Sequence, residues 1–336
     1  MSDPKRSKML RRTLVGGGLA VALALVLWAA SAFDSAYPIL AVTYLLVACC
    51  VVEVDRMGSF AGRRWIWPLA AGALVSLAHS LVMLDGLEAA ARDAGLGVLW
   101  LGGASVLALG AVTATYAIVC SDSWPVRIAG VAALASAAAP QLSWTGFVSI
   151  VALCFIALRL VWFGASRPAH AAALIVLGAL LVVSIPALTW VWVGMGFEAL
   201  VAVVAIAKLG DAAAYYVGNA IGRRRPFPNV SPGKTTEGFV GSLLAACLAG
   251  ALATQLGWLP SQPWGWAGGL LAGAVVNVPA QLSDLLESWV KRKAGVKDSG
   301  AWFGPSGGML DLVDSFFLAA PLALVVWPAL MRFEHA

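Results

Sequence analysis

The segment ALVAVVAIAKLGDAAAYYV, residues 199–217, decides the fold class of this chain. It is apolar over nearly its whole length, and its only charged residues are Lys208 and Asp211. About 20 consecutive apolar residues are what a helix needs to cross the hydrocarbon core of a bilayer. The segment therefore predicts a transmembrane helix with two charges inside it.

Ten further apolar runs of comparable character extend this prediction along the chain. With residues 199–217 they make eleven candidates: 13–31, 37–52, 65–84, 95–120, 126–141, 144–163, 169–193, 199–217, 239–258, 265–283 and 312–330. The first follows a basic head and has no convincing cleavage site after it, so we expect a retained span and not a signal peptide. The pattern predicts an all-α polytopic membrane protein with about 9 to 11 transmembrane helices.

The composition excludes several other classes of protein. Of the 336 residues, 61% are hydrophobic and 12% are charged, and the mean hydropathy is +0.87. An average soluble domain has about 25% charged residues. The five cysteines show no CxxC spacing, so neither a zinc site nor a disulfide framework is predicted. The net charge of +5 is small for this length and does not indicate a nucleic-acid partner.

Basic residues alternate from loop to loop, which predicts the orientation of the chain. The basic N-terminal head should remain in the cytoplasm, and the loops on the same side then carry most of the later arginines and lysines. This alternation requires that residues 126–163 cross twice, with Pro140 and Ser143 at the turn. It predicts that the loops 223–236 and 291–308 both face the cytoplasm.

Charge also divides the chain into two parts. Sixteen of the 39 charged residues fall in the windows 208–237 and 284–314. We therefore expect a membrane scaffold in residues 1–198 and a catalytic transmembrane domain with cytoplasmic-side loops in residues 199–336.

Lys208, Asp211 and Tyr215 have the spacing i, i+3, i+7, which places them on one face of a helix. Lys208 and Asp211 lie about 14 to 18 Å from the end of the span at 1.5 Å per residue. Charges at that depth are costly unless they are paired or hydrated, so they favour a functional polar cavity. An ion pair that only locks helices together is the alternative.

A second polar block, SPGKTTEG at residues 231–238, precedes the next apolar run. Ser231, Lys234 and Thr235 would offer hydroxyl groups and a cation at a helix N-terminus, a combination that suits a phosphate. Alternatively, Ser231 or Thr235 is an ordinary N-cap residue.

The third block places Asp284, Ser288 and Lys291 at i, i+4, i+7, and a glycine-rich turn then leads to Asp311 and Asp314. Carboxylate oxygens beside basic groups suit Mg²⁺ that bridges substrate phosphates. A solvated acidic turn is the alternative interpretation.

These blocks together resemble the phosphatidate cytidylyltransferase family, the CDP-diacylglycerol synthases. The resemblance rests on SWVKRKAGVKDSG at 288–300 continued by GGMLDLVD at 307–314, and on DAAAYYVG at 211–218, SPGKTTEG at 231–238 and QLSDL at 281–285. The blocks occur in the family's order over about 104 residues, which is about the last third of the chain.

The resemblance implies a bacterial inner-membrane nucleotidyltransferase that joins CTP and phosphatidic acid to give CDP-diacylglycerol and pyrophosphate, with its active site facing the cytoplasm. It implies membrane lipid as a partner, and a homodimer is compatible with it. The resemblance implies five catalytic residues, whose four aspartates would also bind Mg²⁺: Asp211, Asp284, Lys291, Asp311 and Asp314. It implies that five further residues contact the CTP phosphates: Ser231, Lys234, Thr235, Arg292 and Lys297.

Two positions depart from the family pattern. Ser306 stands where the family usually has histidine, and Leu312 stands where it usually has arginine. We expect the enzyme to be active, with Arg292 or Lys297 supplying the charge missing at position 312. A paralogue with another lipid or nucleotide substrate, a lipid kinase, and a transporter that uses Lys208 and Asp211 as an ion relay stay open as alternatives.

Overall fold

A computed structural model describes residues 35–57, 66–87, 181–303 and 307–333, with short pieces between residues 18 and 33 and between 100 and 115. These residues form helices and turns, and no strand occurs among them. They divide into two compact units. One contains the described residues up to 46 and those from 184 onward, and the other contains those from 47 to 183.

Among the described residues, eight helices have defined bounds. They are α1 (Tyr37–Arg56), α2 (Ile66–Leu87), α3 (Ala187–Met195), α4 (Phe197–Ile221), α5 (Thr236–Gln255), α6 (Trp266–Lys293), α7 (Leu310–Val313) and α8 (Phe316–Leu330). Helices α1, α2, α4, α5 and α6, and the α7–α8 segment, are long and apolar enough to cross a membrane.

The prediction of a polytopic helical protein is therefore confirmed by six segments, which correspond to six of the eleven apolar runs. The run at 169–193 ends in a shorter apolar helix, Leu181–Met195. The runs at 126–141 and 144–163 lie wholly outside the described residues, and so does the predicted turn at Pro140. The runs at 13–31 and 95–120 lie partly outside them.

Helices α4, α5 and α6 pack closely because small residues line their contacts. A Cβ atom on Gly250 of α5 would lie 2.1 Å from the carbonyl oxygen of Gly269 in α6, so a larger residue would force the helices apart. On the other side of α5, a Cβ atom on Gly238 would lie 2.8 Å from the carbonyl oxygen of Ala214 in α4. In a membrane, where lipid competes for apolar surface, such close approach is a main source of helix association.

Polar side chains join these helices at buried positions. The Asn277 amide of α6 donates to the Ser242 hydroxyl of α5 over 2.8 Å. The Ser283 hydroxyl of α6 accepts a hydrogen bond from the backbone N–H of Leu318 in α8 over 2.9 Å. The indole of Trp327 in α8 donates to the carbonyl of Ala272 in α6 over 3.3 Å. These bonds fix α8 and α5 on the two sides of α6 and so place the polar loops at one end of α6.

Candidate active site

A pocket of about 390 Å³ opens between α4, α5, α6 and the loop that joins α4 to α5. One wall is the α4 face that begins at Asp211 and continues through Tyr215. The opposite wall is the loop and the first turns of α5. The lining residues include Asp211, Tyr215, Gly218, Asn219, Gly233, Lys234, Thr235, Phe239, Ser242, Gln281 and Asp284.

The start of α5 holds the loop that carries Lys234. Thr235 is the N-cap residue, and its hydroxyl accepts a hydrogen bond from the backbone N–H of Gly238 over 3.1 Å. The alternative interpretation of Thr235 as an N-cap is therefore confirmed, and this residue lines the pocket as well. Gly218 of α4 allows the approach, because a Cβ atom there would lie 3.0 Å from the Thr235 hydroxyl oxygen.

Glu237 fixes the other end of the same loop. Its carboxylate accepts hydrogen bonds from the backbone N–H groups of Arg223, at 3.0 Å, and Arg224, at 3.2 Å. The guanidinium of Arg225 donates to the carbonyl of Pro232. The loop is thus closed on itself by polar contacts.

Lys234 reaches across the pocket to α6. Its ammonium nitrogen lies 2.7 Å from a carboxylate oxygen of Asp284 and 5.8 Å from the centre of the Phe239 ring. The Lys234 side chain is 18% exposed and that of Asp284 is 35% exposed, so this ion pair sits at the boundary between the pocket and the interior. Lys234 thus lines the pocket, with its ammonium nitrogen buried against Asp284.

Asp284, Glu287 and Asp314 form an acidic cluster behind this ion pair. One carboxylate oxygen from each residue lies within 4.8 Å of the others. Asp211 is close enough to interact electrostatically with both Asp284 and Asp314. Ionised carboxylates this close repel one another unless a proton or a cation neutralises part of their charge, and hard oxygen donors are the ligands that Mg²⁺ and Ca²⁺ prefer. The donor set therefore fits a divalent cation.

Lys291 connects the acidic cluster to Asp311. Its ammonium nitrogen lies 2.6 Å from a carboxylate oxygen of Glu287 and 2.5 Å from Oδ1 of Asp311. The other oxygen of Asp311, Oδ2, accepts hydrogen bonds from the backbone N–H of Ser299 at 3.0 Å, from the Ser299 hydroxyl at 2.7 Å and from the backbone N–H of Gly308 at 2.7 Å. Both oxygens of Asp311 are thus engaged with protein donors.

Gly307 makes the last of these contacts possible. Its φ is +86°, in the left-handed region that favours glycine, and a Cβ atom there would lie 2.4 Å from Oδ2 of Asp311. This turn is the part of the glycine-rich segment that the structure describes. Ser306, one of the two departures from the family pattern, lies outside the described residues.

The remaining predicted phosphate ligands are half-buried or exposed. Ser231 is half-buried, and its backbone N–H donates to the carbonyl of Phe227 over 2.9 Å. Arg292 is exposed and donates to the carbonyl of Val296 over 2.9 Å. Lys297 is also exposed. None of these three residues is among those that line the 390 Å³ pocket.

Sequence reasoning missed Glu287, which is 2% exposed and central to the cluster. Its spacing could have identified it, because it lies three residues after Asp284 and four before Lys291, on the same helix face. Ser299 and Ser315 were missed as well. Both are short hydroxyl side chains that contact charged groups from other segments, and no local pattern marks them.

The chain is similar to several known proteins. The profile described as the cytidylyltransferase family matches residues 10–329. The chain is 40% identical over 127 residues to a phosphatidate cytidylyltransferase of Brucella suis, an alignment that covers 38% of this chain and 46% of that protein.

A phosphatidate cytidylyltransferase of Bacillus subtilis is 40% identical over 111 residues, which is 33% of this chain and 40% of the relative. The uncharacterized protein YnbB of Escherichia coli is 37% identical over 123 residues, which is 35% of this chain and 39% of the relative. The chain thus aligns with less than half of the length of each of these relatives.

Proposed function

Since the chain belongs to the cytidylyltransferase family, we propose that it is a phosphatidate cytidylyltransferase, which converts CTP and phosphatidic acid into CDP-diacylglycerol and pyrophosphate. The observation that carries the proposal is the combination of an acidic cluster with Lys234 and Lys291 beside a pocket between membrane-length helices. Such a site can hold a polyphosphate and a lipid phosphate together. Three of the sequence blocks that suggested the family meet there.

We propose that Asp284, Glu287 and Asp314 hold Mg²⁺, with Asp211 completing the negative charge around it. When bound, a divalent cation would neutralise negative charge that develops on the phosphate groups. Asp311 was predicted as a fourth metal ligand. Because its oxygens already accept hydrogen bonds from Lys291, Ser299 and Gly308, we propose that it orients Lys291 instead.

In the proposed reaction a phosphate oxygen of phosphatidic acid attacks the α-phosphorus of CTP. A new P–O bond forms, and the bond to the pyrophosphate group breaks. A phosphate monoester is already anionic near neutral pH, so positioning and charge stabilisation do most of the work and no strong general base is needed. Lys234, at the pocket wall, would bind CTP phosphates, and Lys291 would balance the leaving pyrophosphate.

We propose that Thr235 and Ser231 contribute hydroxyl contacts near the triphosphate, and that exposed Arg292 and Lys297 attract CTP at the entrance. Long-range attraction by exposed cations raises association rates and is reduced by salt.

The lipid would enter from the membrane side. An apolar groove of about 340 Å³ on α5 and α6 shares Phe239 and Gln281 with the polar pocket. Its other lining residues include Val240, Leu243 and Leu282. The arrangement supports a substrate with a charged head and apolar chains. From the distribution of basic loops we propose that the site faces the cytoplasm, in a bacterial inner membrane.

The departures at Ser306 and Leu312 favour one second candidate, a diverged relative that uses another phospholipid or nucleotide. That candidate keeps the same nucleotidyl-transfer chemistry and differs in the groups that the pocket accepts.

Purified protein in detergent with Mg²⁺, phosphatidic acid and labelled CTP tests the proposal. Label in the α-phosphate should move to the lipid, whereas label in the γ-phosphate should be released as pyrophosphate. Transfer of the γ-label to lipid would identify a lipid kinase. Absence of transfer from either position, with a panel of acidic phospholipids and all four ribonucleotides, would contradict nucleotidyl transfer. EDTA should stop the reaction, and added Mg²⁺ should restore it.

A further inference from the structure

Lys208 ties helix α4 to the turn between α7 and α8. Its ammonium nitrogen lies 3.3 Å from a carboxylate oxygen of Asp211, one turn along α4. It also donates to the carbonyl oxygen of Leu312 over 3.0 Å and to the Ser315 hydroxyl over 2.8 Å, and it lies 5.0 Å from the centre of the Phe316 ring. The Lys208 side chain thus contacts one carboxylate of the site and three residues in or next to the turn, which are Leu312, Ser315 and Phe316.

The 311–315 segment, which comprises most of α7 and the turn that follows it, carries Asp311 and Asp314 on either side of Leu312. At position 312 the phosphatidate cytidylyltransferase family usually has arginine. The leucine found here carries no charge. The Lys208 ammonium lies next to the backbone of this same residue, and it also interacts electrostatically with Asp314. A positive charge is therefore present beside position 312, although it comes from another helix.

The sequence had suggested Arg292 or Lys297 as the source of that charge. Both are exposed, and the Arg292 guanidinium is bonded to the carbonyl of Val296. Two other lysines of the site have different carboxylate partners. Lys234 pairs with Asp284, and Lys291 pairs with Glu287 and Asp311. Lys208 is the lysine that faces Asp211 and the turn.

We infer that Lys208 is a positioning residue that replaces the cation missing at position 312, holding Asp211 and the 311–315 segment together across the site. The inference rests on the proposed function only in its kinetic test. Its contacts with Asp211, Leu312 and Ser315 are independent of the reaction.

Formal charges explain why this lysine matters to the site. When all five carboxylates of the site are ionised, Asp211, Asp284, Glu287, Asp311 and Asp314 face three lysines, Lys208, Lys234 and Lys291. Two negative charges then remain, the number that one divalent cation would balance. Without Lys208 three negative charges would remain. A lysine inside a membrane-length helix is costly unless it has such a role.

The test compares Lys208→Met with Lys208→Arg, with the double variant Lys208→Met/Leu312→Arg, and with Arg332→Met as a control at an exposed arginine beyond α8. Lys208→Met should lower kcat by about 10- to 100-fold, the range for partners that orient the ligands of a site, and should change the KM for CTP much less. Lys208→Arg should retain most of the activity. In the double variant the cation at position 312 should restore most of kcat.

Thermal melting in detergent gives a second measurement that needs no substrate. In EDTA, Lys208→Met should melt below wild type because of its extra uncompensated charge. MgCl₂ alone should then raise its melting temperature more than it raises that of wild type. Both differences should disappear in the double variant and be absent in Arg332→Met.

Normal kcat in Lys208→Met, or a loss that Leu312→Arg does not restore, would overturn the inference. If wild type transfers no nucleotide to lipid, the proposed function fails, and the melting measurements alone then decide. Equal Mg²⁺ shifts in wild type and Lys208→Met would count against the role of Lys208. If Lys208→Met yields no folded protein, recovery of folded, active double variant supports the inference, and failure to recover it contradicts it.

Discussion

Replacing Asp314 with asparagine tests the role of this residue in the proposed metal site separately from its role in the fold. The change keeps the shape of the side chain and removes one charge from a cluster whose carboxylate oxygens lie within 4.8 Å of one another. Two ionised carboxylates at that distance repel by about 3.5 kcal/mol at an effective dielectric constant of about 20. Even a third of that value is larger than the effect of most surface substitutions.

We therefore expect opposite effects on stability and on activity. Without metal, Asp314→Asn should melt at a higher temperature than wild type, because Asp284 and Glu287 lose a repulsive neighbour. With MgCl₂ it should gain less stability than wild type, because one of the proposed ligands is gone. Turnover of CTP into CDP-lipid should be abolished while expression stays nearly normal.

The assay is melting of detergent-purified protein, followed by tryptophan fluorescence in EDTA and over a MgCl₂ titration, together with CDP-lipid formation. Glu198→Gln is the matched control, since it removes a carboxylate that is exposed at the start of α4. Wild-type turnover at ordinary Mg²⁺ would refute the assignment of Asp314 as a ligand. A metal-free melting temperature at or below that of wild type would refute the repulsion argument.

The remaining predictions concern Lys234, Asp311 and the topology. Lys234→Ala should reduce turnover by about 10²- to 10³-fold if it resembles the loss of one oxyanion donor, and a rate within threefold of wild type would contradict its contact with phosphate. Asp311→Asn should lower the melting temperature both with and without Mg²⁺. The reason is that an amide has one acceptor oxygen and cannot accept hydrogen bonds from both the Lys291 ammonium and the backbone donors. A defect that excess Mg²⁺ repairs would instead indicate a metal ligand. Single cysteines at Asn229 and Ala301, both exposed, should be labelled from the same side of the membrane in intact cells, and opposite labelling would contradict a shared site.

The sequence by itself determined the elements of this protein. Long apolar runs can satisfy their backbone only as helices in a bilayer, so hydropathy was enough to place α4, α5 and the α7–α8 segment within a few residues. It placed the start of α6 equally well, but α6 continues to Lys293, past the end of the apolar run at 283. Spacing within one helix was equally readable. Lys208 and Asp211, three residues apart, are paired at 3.3 Å, because helical geometry fixes neighbours at that spacing.

Only the tertiary structure decided which charges meet between elements. Lys234 is paired with Asp284, 50 residues away, and Lys208 is bonded to Leu312, 104 residues away. The sequence predicted the same role for Asp311 and Asp314, which lie three residues apart. Asp311 is bonded to Ser299 and Gly308, whereas Asp314 belongs to the acidic cluster. Periodicity fixes the direction of a side chain from its own helix, whereas its partner depends on how closely the helices approach and where the turns between them end. Here the glycines at the contacts of α5 set those distances, and no local pattern in the chain specifies the pairs that result.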